Sequence, residues 1–158
     1  MNVVEHLAER LRVHGWRLAT AESCTGGLIA GACTELAGSS DWFERGFVTY
    51  SNAAKSELLG VAPALIAAHG AVSEPVARAM VEGALQHSPA DWAVAVTGIA
   101  GPGGGSLDKP VGLVWLAWLQ RGGAAHVERK VFEGDRAAVR AATVALALAG
   151  LLERIDRR

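Results

Sequence analysis

Cysteine and long apolar runs are the two features that this sequence has least of. Its two cysteines, Cys24 and Cys33, lie nine residues apart, a separation that puts two residues of one helix on opposite faces. We therefore expect no disulfide and no zinc-ligand cluster, and a cytoplasmic location fits. The longest apolar run, 141–152, has about 12 residues, whereas a membrane-spanning helix needs roughly 20. The sequence therefore predicts no membrane partner.

Blocks of like charge are also absent. The chain has 15 lysines and arginines against 16 aspartates and glutamates, which leaves a net charge of −1. Without a basic block, nucleic acid is not predicted as a partner. Charged residues also interrupt the first dozen positions, so we expect no signal peptide. A 158-residue chain that is 51% hydrophobic and only 6% aromatic is typical of a soluble globular protein, and we expect one domain over residues 1–158.

Segments with helical and with strand-like patterns alternate along most of the chain. The predicted helices are 2–14, 26–36, 53–59 with Asn52 as N-cap, 63–69, a helix after Ser73 to residue 86, and 135–154. The predicted strands are 16–21, 43–51, 92–97, 111–119 and 126–132, of which the last two form an antiparallel hairpin. Strands that alternate with helices and end in a hairpin predict an α/β fold, a single-domain αβα sandwich with a mixed β-sheet.

The stretch 17–30 contains a hydroxyl and a thiol where a strand gives way to a helix. The N-terminus of a helix attracts developing negative charge, so a nucleophile placed there has an oxyanion site beside it. Ser23 is the first candidate nucleophile. Cys24 is a rival, because a thiol is intrinsically more nucleophilic, although a small buried apolar role is its simpler interpretation.

A serine nucleophile needs a base, and no histidine is placed by the sequence to serve Ser23. Lys55 falls in the first turn of the helix after Asn52, where the helix dipole opposes a cation. The dipole, and burial if it occurs, would lower its pKa from the free value of about 10.4 toward a neutral amine that accepts a proton. Tyr50, the single tyrosine, ends the preceding strand and could orient Lys55 or the substrate. A solvated lysine and a tyrosine at the edge of the core are the alternatives.

Two further features suit an anionic ligand. Thr97 and Gly98 open a glycine-rich loop after a buried strand, where backbone N–H groups could reach a phosphate, although the loop does not match a P-loop. Arg136 and Arg140 lie four residues apart at the start of the last helix. Cations there oppose the helix dipole, so the pair favours an anionic partner, either a carboxylate of the protein or a ligand phosphate.

Taken together, five stretches in this order resemble the CinA C-terminal domain family: TAESCTGG (20–27), GFVTYSNAAK (46–55), HGAVSE (69–74), VTGIAGP (96–102) and KPVG (109–112). The resemblance covers residues 7–152. It implies hydrolysis of the carboxamide of nicotinamide mononucleotide to nicotinate mononucleotide and ammonia, in pyridine nucleotide salvage. It implies neither cofactor nor metal, and a homodimer is possible by the same resemblance.

The resemblance also assigns roles to single residues. It implies Ser23 as the nucleophile, Lys55 as its base, Tyr50 as the support of that pair and Thr97 at the substrate. One arginine of the last helix, either Arg136 or Arg140, is implied as a further site residue. The N–H groups of the turn at Thr25, Gly26 and Gly27 are then expected to hold the oxyanion. A nucleotide-binding module without catalysis, made of the glycine-rich loop and the two arginines, is the alternative from another class.

Overall fold

A computed structural model describes residues 1–157, and the last residue of the predicted domain, Arg158, lies outside the described residues. Within them, helices and strands follow in the order α1 (Val3–His14), β1 (Leu18–Glu22), α2 (Leu28–Thr34), β2 (Phe43–Val48), α3 (Asn52–Leu59), α4 (Pro63–His69), α5 (Glu74–Gln86), β3 (Trp92–Gly98), β4 (Leu113–Gln120), β5 (His126–Val131) and α6 (Arg136–Asp156). None of these helices is both long and apolar enough to span a membrane.

The strands form one mixed sheet in the order β2-β1-β3-β4-β5. β1 pairs in parallel with both β2 and β3, whereas β4 is antiparallel to β3 and to β5. The predicted mixed sheet and its terminal hairpin are therefore confirmed. Because β1, β2 and β3 are parallel, their carboxyl ends meet at one edge of the sheet, beside the central strand, where ligands commonly bind in such folds.

Helices cover both faces of the sheet, which gives the predicted αβα sandwich. One buried cluster joins α1, α2 and α6 to large sheet residues such as Val94 and Val96. The other joins α3, α4 and α5 to the alternate positions of the same strand, Ala93 and Ala95. Successive side chains of a strand point to opposite faces, so β3 serves both layers. Its small alanines leave room for α5, which packs directly on this strand.

Several predicted boundaries were wrong near the carboxyl edge of the sheet. α2 begins at Leu28 and not at position 26, because Gly26 and Gly27 have left-handed φ angles of 58° and 105° that a helix does not contain. β1 extends through Glu22, one residue beyond its predicted end. β2 ends at Val48, three residues early, and the chain that follows turns toward the site described below.

The N-cap predicted for α3 was also wrong. Ser51 is the N-cap, since its hydroxyl accepts a hydrogen bond from the amide of Ala54, and Asn52 is the first helical residue. Ser73 does precede α5, but its hydroxyl donates to the carbonyl of Gly70 and does not cap the helix. The consequence for the site is that the Asn52 side chain is free to face a cavity.

Candidate active site

A cavity of about 200 Å³ opens at the carboxyl edge of β1 and β3. Its lining consists of Ser23, Cys24, Tyr50, Asn52, Lys55, Ala71, Val72, Thr97, Gly98, Ala100 and Arg136. A larger groove of about 460 Å³ lies between α3 and α4, but it is mainly apolar and contains no hydrogen-bonded pair of nucleophile and base. The chemistry-bearing side chains therefore favour the smaller cavity.

Ser23 stands at the floor of this cavity, directly after β1. Its amide donates to the carbonyl of Val96 at 3.1 Å, so the residue is held against β3 beyond the last regular pair of the sheet. The side chain is nearly buried, with 8% of the residue exposed. A hydroxyl in this position is rigidly placed and still faces the open cavity.

Lys55 reaches the same point from the first half of α3. Its Nζ lies 3.0 Å from the Oγ of Ser23, although the two residues are 32 positions apart. The amine also donates to the carbonyls of Thr49 at 2.8 Å and Tyr50 at 3.2 Å. Only 1% of Lys55 is exposed. The chain between β2 and α3 thus curls around the amine and aims it at the serine hydroxyl.

The environment of Lys55 favours its neutral form. Burial lowers the pKa of its amine from 10.5 to about 8. Within residues 1–157 no carboxylate forms an ion pair with it. With this pKa, roughly a tenth of the amine is unprotonated at pH 7 and available to accept a proton, and that fraction rises with pH.

Cys24 also lines the cavity, but its surroundings favour the protonated thiol. Burial raises the pKa of its thiol to about 11, and the negative charge of Glu22 acts in the same direction. The thiolate is the reactive form of cysteine, so a thiol with this pKa is a poor nucleophile at neutral pH. This environment fits the simpler interpretation of Cys24 as a small buried residue.

We expected the amides at the N-terminus of α2 to bind an oxyanion, but two of them already donate to a side chain of the protein. The carboxylate of Glu22 accepts the amides of Ile29 at 2.9 Å and Ala30 at 3.0 Å, and it also accepts the hydroxyl of Thr25. The amide of Gly26 donates to the carbonyl of Ser23 and is likewise engaged.

Three predicted residues of this turn, Thr25, Gly26 and Gly27, do not line the cavity. The amides of Cys24, Thr25 and Gly27 have no carbonyl or carboxylate acceptor in the described part of the chain. Of these three residues only Cys24 lines the cavity, so its amide is the candidate donor for an oxyanion.

Thr97 and Gly98 form the opposite wall. The hydroxyl of Thr97 donates to the carbonyl of Ala71 at 2.9 Å, which ties β3 to the segment before α5. A Cβ atom on Gly98 would lie 2.7 Å from Val114 and 3.2 Å from the sulfur of Cys24. Only glycine fits there, because β4 and the sulfur of Cys24 approach the backbone of Gly98 closely.

The two candidate arginines have different surroundings. Arg136 lines the cavity and donates to the carbonyl of Gly101 at 3.0 Å and to the hydroxyl of Tyr50 at 3.1 Å. Arg140 lies behind the nucleophile turn and donates to the carbonyls of Cys24 and Thr25 at 3.1 and 3.3 Å. Among the described ion pairs, none neutralises the guanidinium of Arg136, so its charge is available to an anion at the cavity mouth.

Sequence reasoning missed Asn52, Ala71, Val72 and Ala100 in the cavity lining and gave no role to Glu22. The position of Glu22, a carboxylate at the end of a buried strand, was the one sign available for it. Between residues 1 and 157, no group of three or more His, Cys, Asp and Glu side chains is placed to hold a metal ion.

The chain is similar to known proteins over nearly its whole length. The model of the family "CinA C-terminal domain" matches residues 1–155. Nicotinamide-nucleotide amidohydrolase PncC of Escherichia coli (strain K12) is 52% identical over 148 residues, covering 94% of this chain and 90% of that protein. The protein of the same name from Pseudomonas putida is 56% identical over 147 residues, covering 93% and 91%. The crystal structure of competence damage-inducible protein A (ComA) from Klebsiella pneumoniae has a TM-score of 0.93 at 42% identity, covering 98% of this chain and 95% of that one.

Proposed function

This chain belongs to the CinA C-terminal domain family, and we propose on that basis that it hydrolyses the carboxamide of nicotinamide mononucleotide to nicotinate mononucleotide and ammonia. The observation that carries the proposal is the 3.0 Å hydrogen bond between the Nζ of Lys55 and the Oγ of Ser23 in a buried setting. A serine activated by a neutral lysine is a known arrangement for acyl transfer, which amide hydrolysis requires.

The first half of the reaction forms an ester on the enzyme. Ser23 Oγ attacks the carboxamide carbon while the neutral amine of Lys55 takes the hydroxyl proton. The resulting oxyanion is stabilised by the amide of Cys24, the free donor of the turn that belongs to a residue lining the cavity; one well-placed donor contributes roughly 3–4 kcal/mol. When the intermediate collapses, the C–N bond breaks and the Lys55 ammonium gives its proton to the leaving nitrogen, which departs as ammonia.

The second half returns the enzyme to its starting state. Water attacks the ester carbon, and Lys55 accepts the proton of that water. Collapse of the second intermediate breaks the bond to Ser23, and the Oγ recovers a proton from Lys55. Hydrolysis leaves a carboxylic acid where the substrate carried an amide, and at neutral pH this acid loses its remaining proton to solvent and becomes the carboxylate.

Arg136 is proposed to bind the phosphate of the mononucleotide, because its charge is unpaired and it stands at the cavity mouth beside Tyr50. Arg140 is proposed to support the turn.

Arg136→Met is expected to raise KM for nicotinamide mononucleotide roughly tenfold or more with a smaller change in kcat, because the ground state and the transition state lose the same contact to the phosphate. Nicotinamide riboside, which lacks the phosphate, should be a poor substrate of both forms. An unchanged KM in the variant would contradict this role.

The experiment that tests the proposal itself is quantitation of ammonia and nicotinate mononucleotide from nicotinamide mononucleotide with the wild-type chain. One molecule of each product is expected per substrate consumed. Binding of the mononucleotide without release of ammonia would instead favour the non-catalytic nucleotide-binding module. The salvage role, the cytoplasmic location and the homodimer stay predictions.

A further inference from the structure

Glu22 is a fully buried carboxylate without a cation beside it. None of the residue is exposed, and among residues 1–157 it takes part in no ion pair. Its oxygens accept three hydrogen bonds, from the Thr25 hydroxyl at 2.5 Å and from the amides of Ile29 and Ala30. A buried charge is tolerated when such donors and a helix N-terminus surround it. The carboxylate thus caps α2 from five residues before the N-cap position, Gly27.

The same residue is linked to both members of the proposed catalytic pair. Its main chain leads directly into Ser23. Its carbonyl accepts the amide of Thr49 at 2.8 Å, and the carbonyl of Thr49 in turn accepts the Nζ of Lys55 at 2.8 Å. Glu22 therefore directly precedes the nucleophile Ser23 in the chain. Two hydrogen bonds, both made by the backbone of Thr49, connect it to the base Lys55.

The turn that follows has little rigidity of its own. Gly26 and Gly27 both have left-handed φ angles, and α2 contains only 7 residues. Glycine has the largest conformational freedom, and a helix this short is marginal without tertiary support. The Glu22 carboxylate supplies that support on one side, and Arg140 holds the carbonyls of Cys24 and Thr25 on the other.

We propose that Glu22 is a positioning residue, whose carboxylate fixes the glycine-containing turn so that Ser23 Oγ stays within hydrogen-bond distance of Lys55 Nζ. This inference rests on the proposed Ser23–Lys55 chemistry. It differs from an ordinary structural cap, because a cap affects stability alone, whereas a positioning residue affects the rate of the chemical step at nearly constant substrate binding.

The test uses Glu22→Gln, which keeps the length of the side chain. A glutamine presents one oxygen acceptor and one NH2 donor, so it cannot accept all the donors that surround the carboxylate. We expect kcat for ammonia release to fall roughly 10- to 100-fold, because a misplacement of about 1 Å can cost a factor of about 100. KM for nicotinamide mononucleotide should stay within about threefold of the wild-type value.

Asn2→Ala is the matched control. Asn2 caps α1 through a hydrogen bond from the amide of Glu5, and it does not line the cavity of Ser23 and Lys55. Its loss should lower Tm without changing kcat, which separates a stability effect from a positioning effect. If Glu22→Gln keeps kcat within about twofold of wild type, or loses kcat only in proportion to its folded fraction, the positioning role is overturned.

Thr25→Val covers the case in which Glu22→Gln does not fold. It removes only the hydroxyl donor to Glu22 and nearly preserves the shape of the buried side chain. We expect a smaller loss of kcat, roughly threefold to tenfold, at unchanged KM; an unchanged kcat would overturn the proposal. Ser23→Ala separates failure of the proposed mechanism from failure of the positioning role. Full activity of Ser23→Ala would refute the mechanism itself. An inactive Ser23→Ala enzyme together with a fully active Glu22→Gln enzyme would refute only the positioning role.

Discussion

Ser23→Ala is expected to reduce kcat for ammonia release from nicotinamide mononucleotide by a factor of roughly 10⁴ or more, since loss of a serine nucleophile in comparable enzymes costs at least this much. The hydroxyl is the atom that Lys55 contacts at 3.0 Å in the cavity, and removing it leaves no oxygen to attack the carboxamide. The fold should tolerate the change, because the Lys55 amine keeps its bonds to the carbonyls of Thr49 and Tyr50. The measurement is a continuous ammonia assay, with thermal unfolding in parallel.

Two further variants make this result specific. Ser88→Ala removes a partly buried serine hydroxyl whose hydrogen bond to the carbonyl of Ala84 lies at the end of α5, away from the cavity, and it should leave kcat unchanged. Cys24→Ala should remain active if the serine is the nucleophile. Should Ser23→Ala retain more than about a tenth of wild-type kcat while Cys24→Ala loses activity, the thiol would replace the hydroxyl in the mechanism.

Lys55→Met should lower kcat by a factor of roughly 10³ or more, because a serine whose base is removed loses most of its activation. Methionine is similar in length to lysine and apolar, so it fills the buried site, although the carbonyls of Thr49 and Tyr50 lose their donor at a cost of about 1–3 kcal/mol of stability each. Lys55→Arg should be about as inactive, although it keeps the positive charge, because a guanidinium with a pKa above about 12 does not give up its proton to become a base.

The lysine control is Lys130→Met, on the exposed strand β5. Its kcat should equal that of wild type. An active Lys55→Arg enzyme would mean that the amine supplies only positive charge, and a fully active Lys55→Met enzyme would remove Lys55 from the chemistry altogether. Calorimetry should show that the inactive Lys55→Met enzyme still binds nicotinamide mononucleotide, which would demonstrate an intact cavity.

The meeting of Ser23 and Lys55 could be anticipated from the sequence for a topological reason. Both residues follow strands that a βα pattern places in parallel, and the carboxyl ends of parallel strands meet at one edge. The direction of the pKa shift of Lys55 was also predicted, and burial is the main cause of that shift. These features depend on element order and on local residue chemistry, which a single sequence displays.

The features that escaped prediction depend on contacts between distant segments. Arg136 and Arg140 lie four residues apart and look equivalent in the sequence, yet one faces the cavity and the other binds carbonyls of the nucleophile turn. Glu22 finds its partners in main-chain amides of α2, which leave no mark in the residue types. Asn52 was mistaken for a cap because Ser51 beside it is an equally good one.

The pH dependence of kcat/KM tests most directly whether neutral Lys55 is the base, since kcat/KM reports the protonation state of the free enzyme. Burial lowers the pKa of Lys55 to about 8, and the active form is the unprotonated one. Measured from about pH 6 to pH 10, kcat/KM should therefore rise about tenfold per pH unit below that pKa and level off above it. A kcat/KM that does not change with pH between about 6 and 9, or that falls as pH rises, would contradict proton transfer from Ser23 to Lys55.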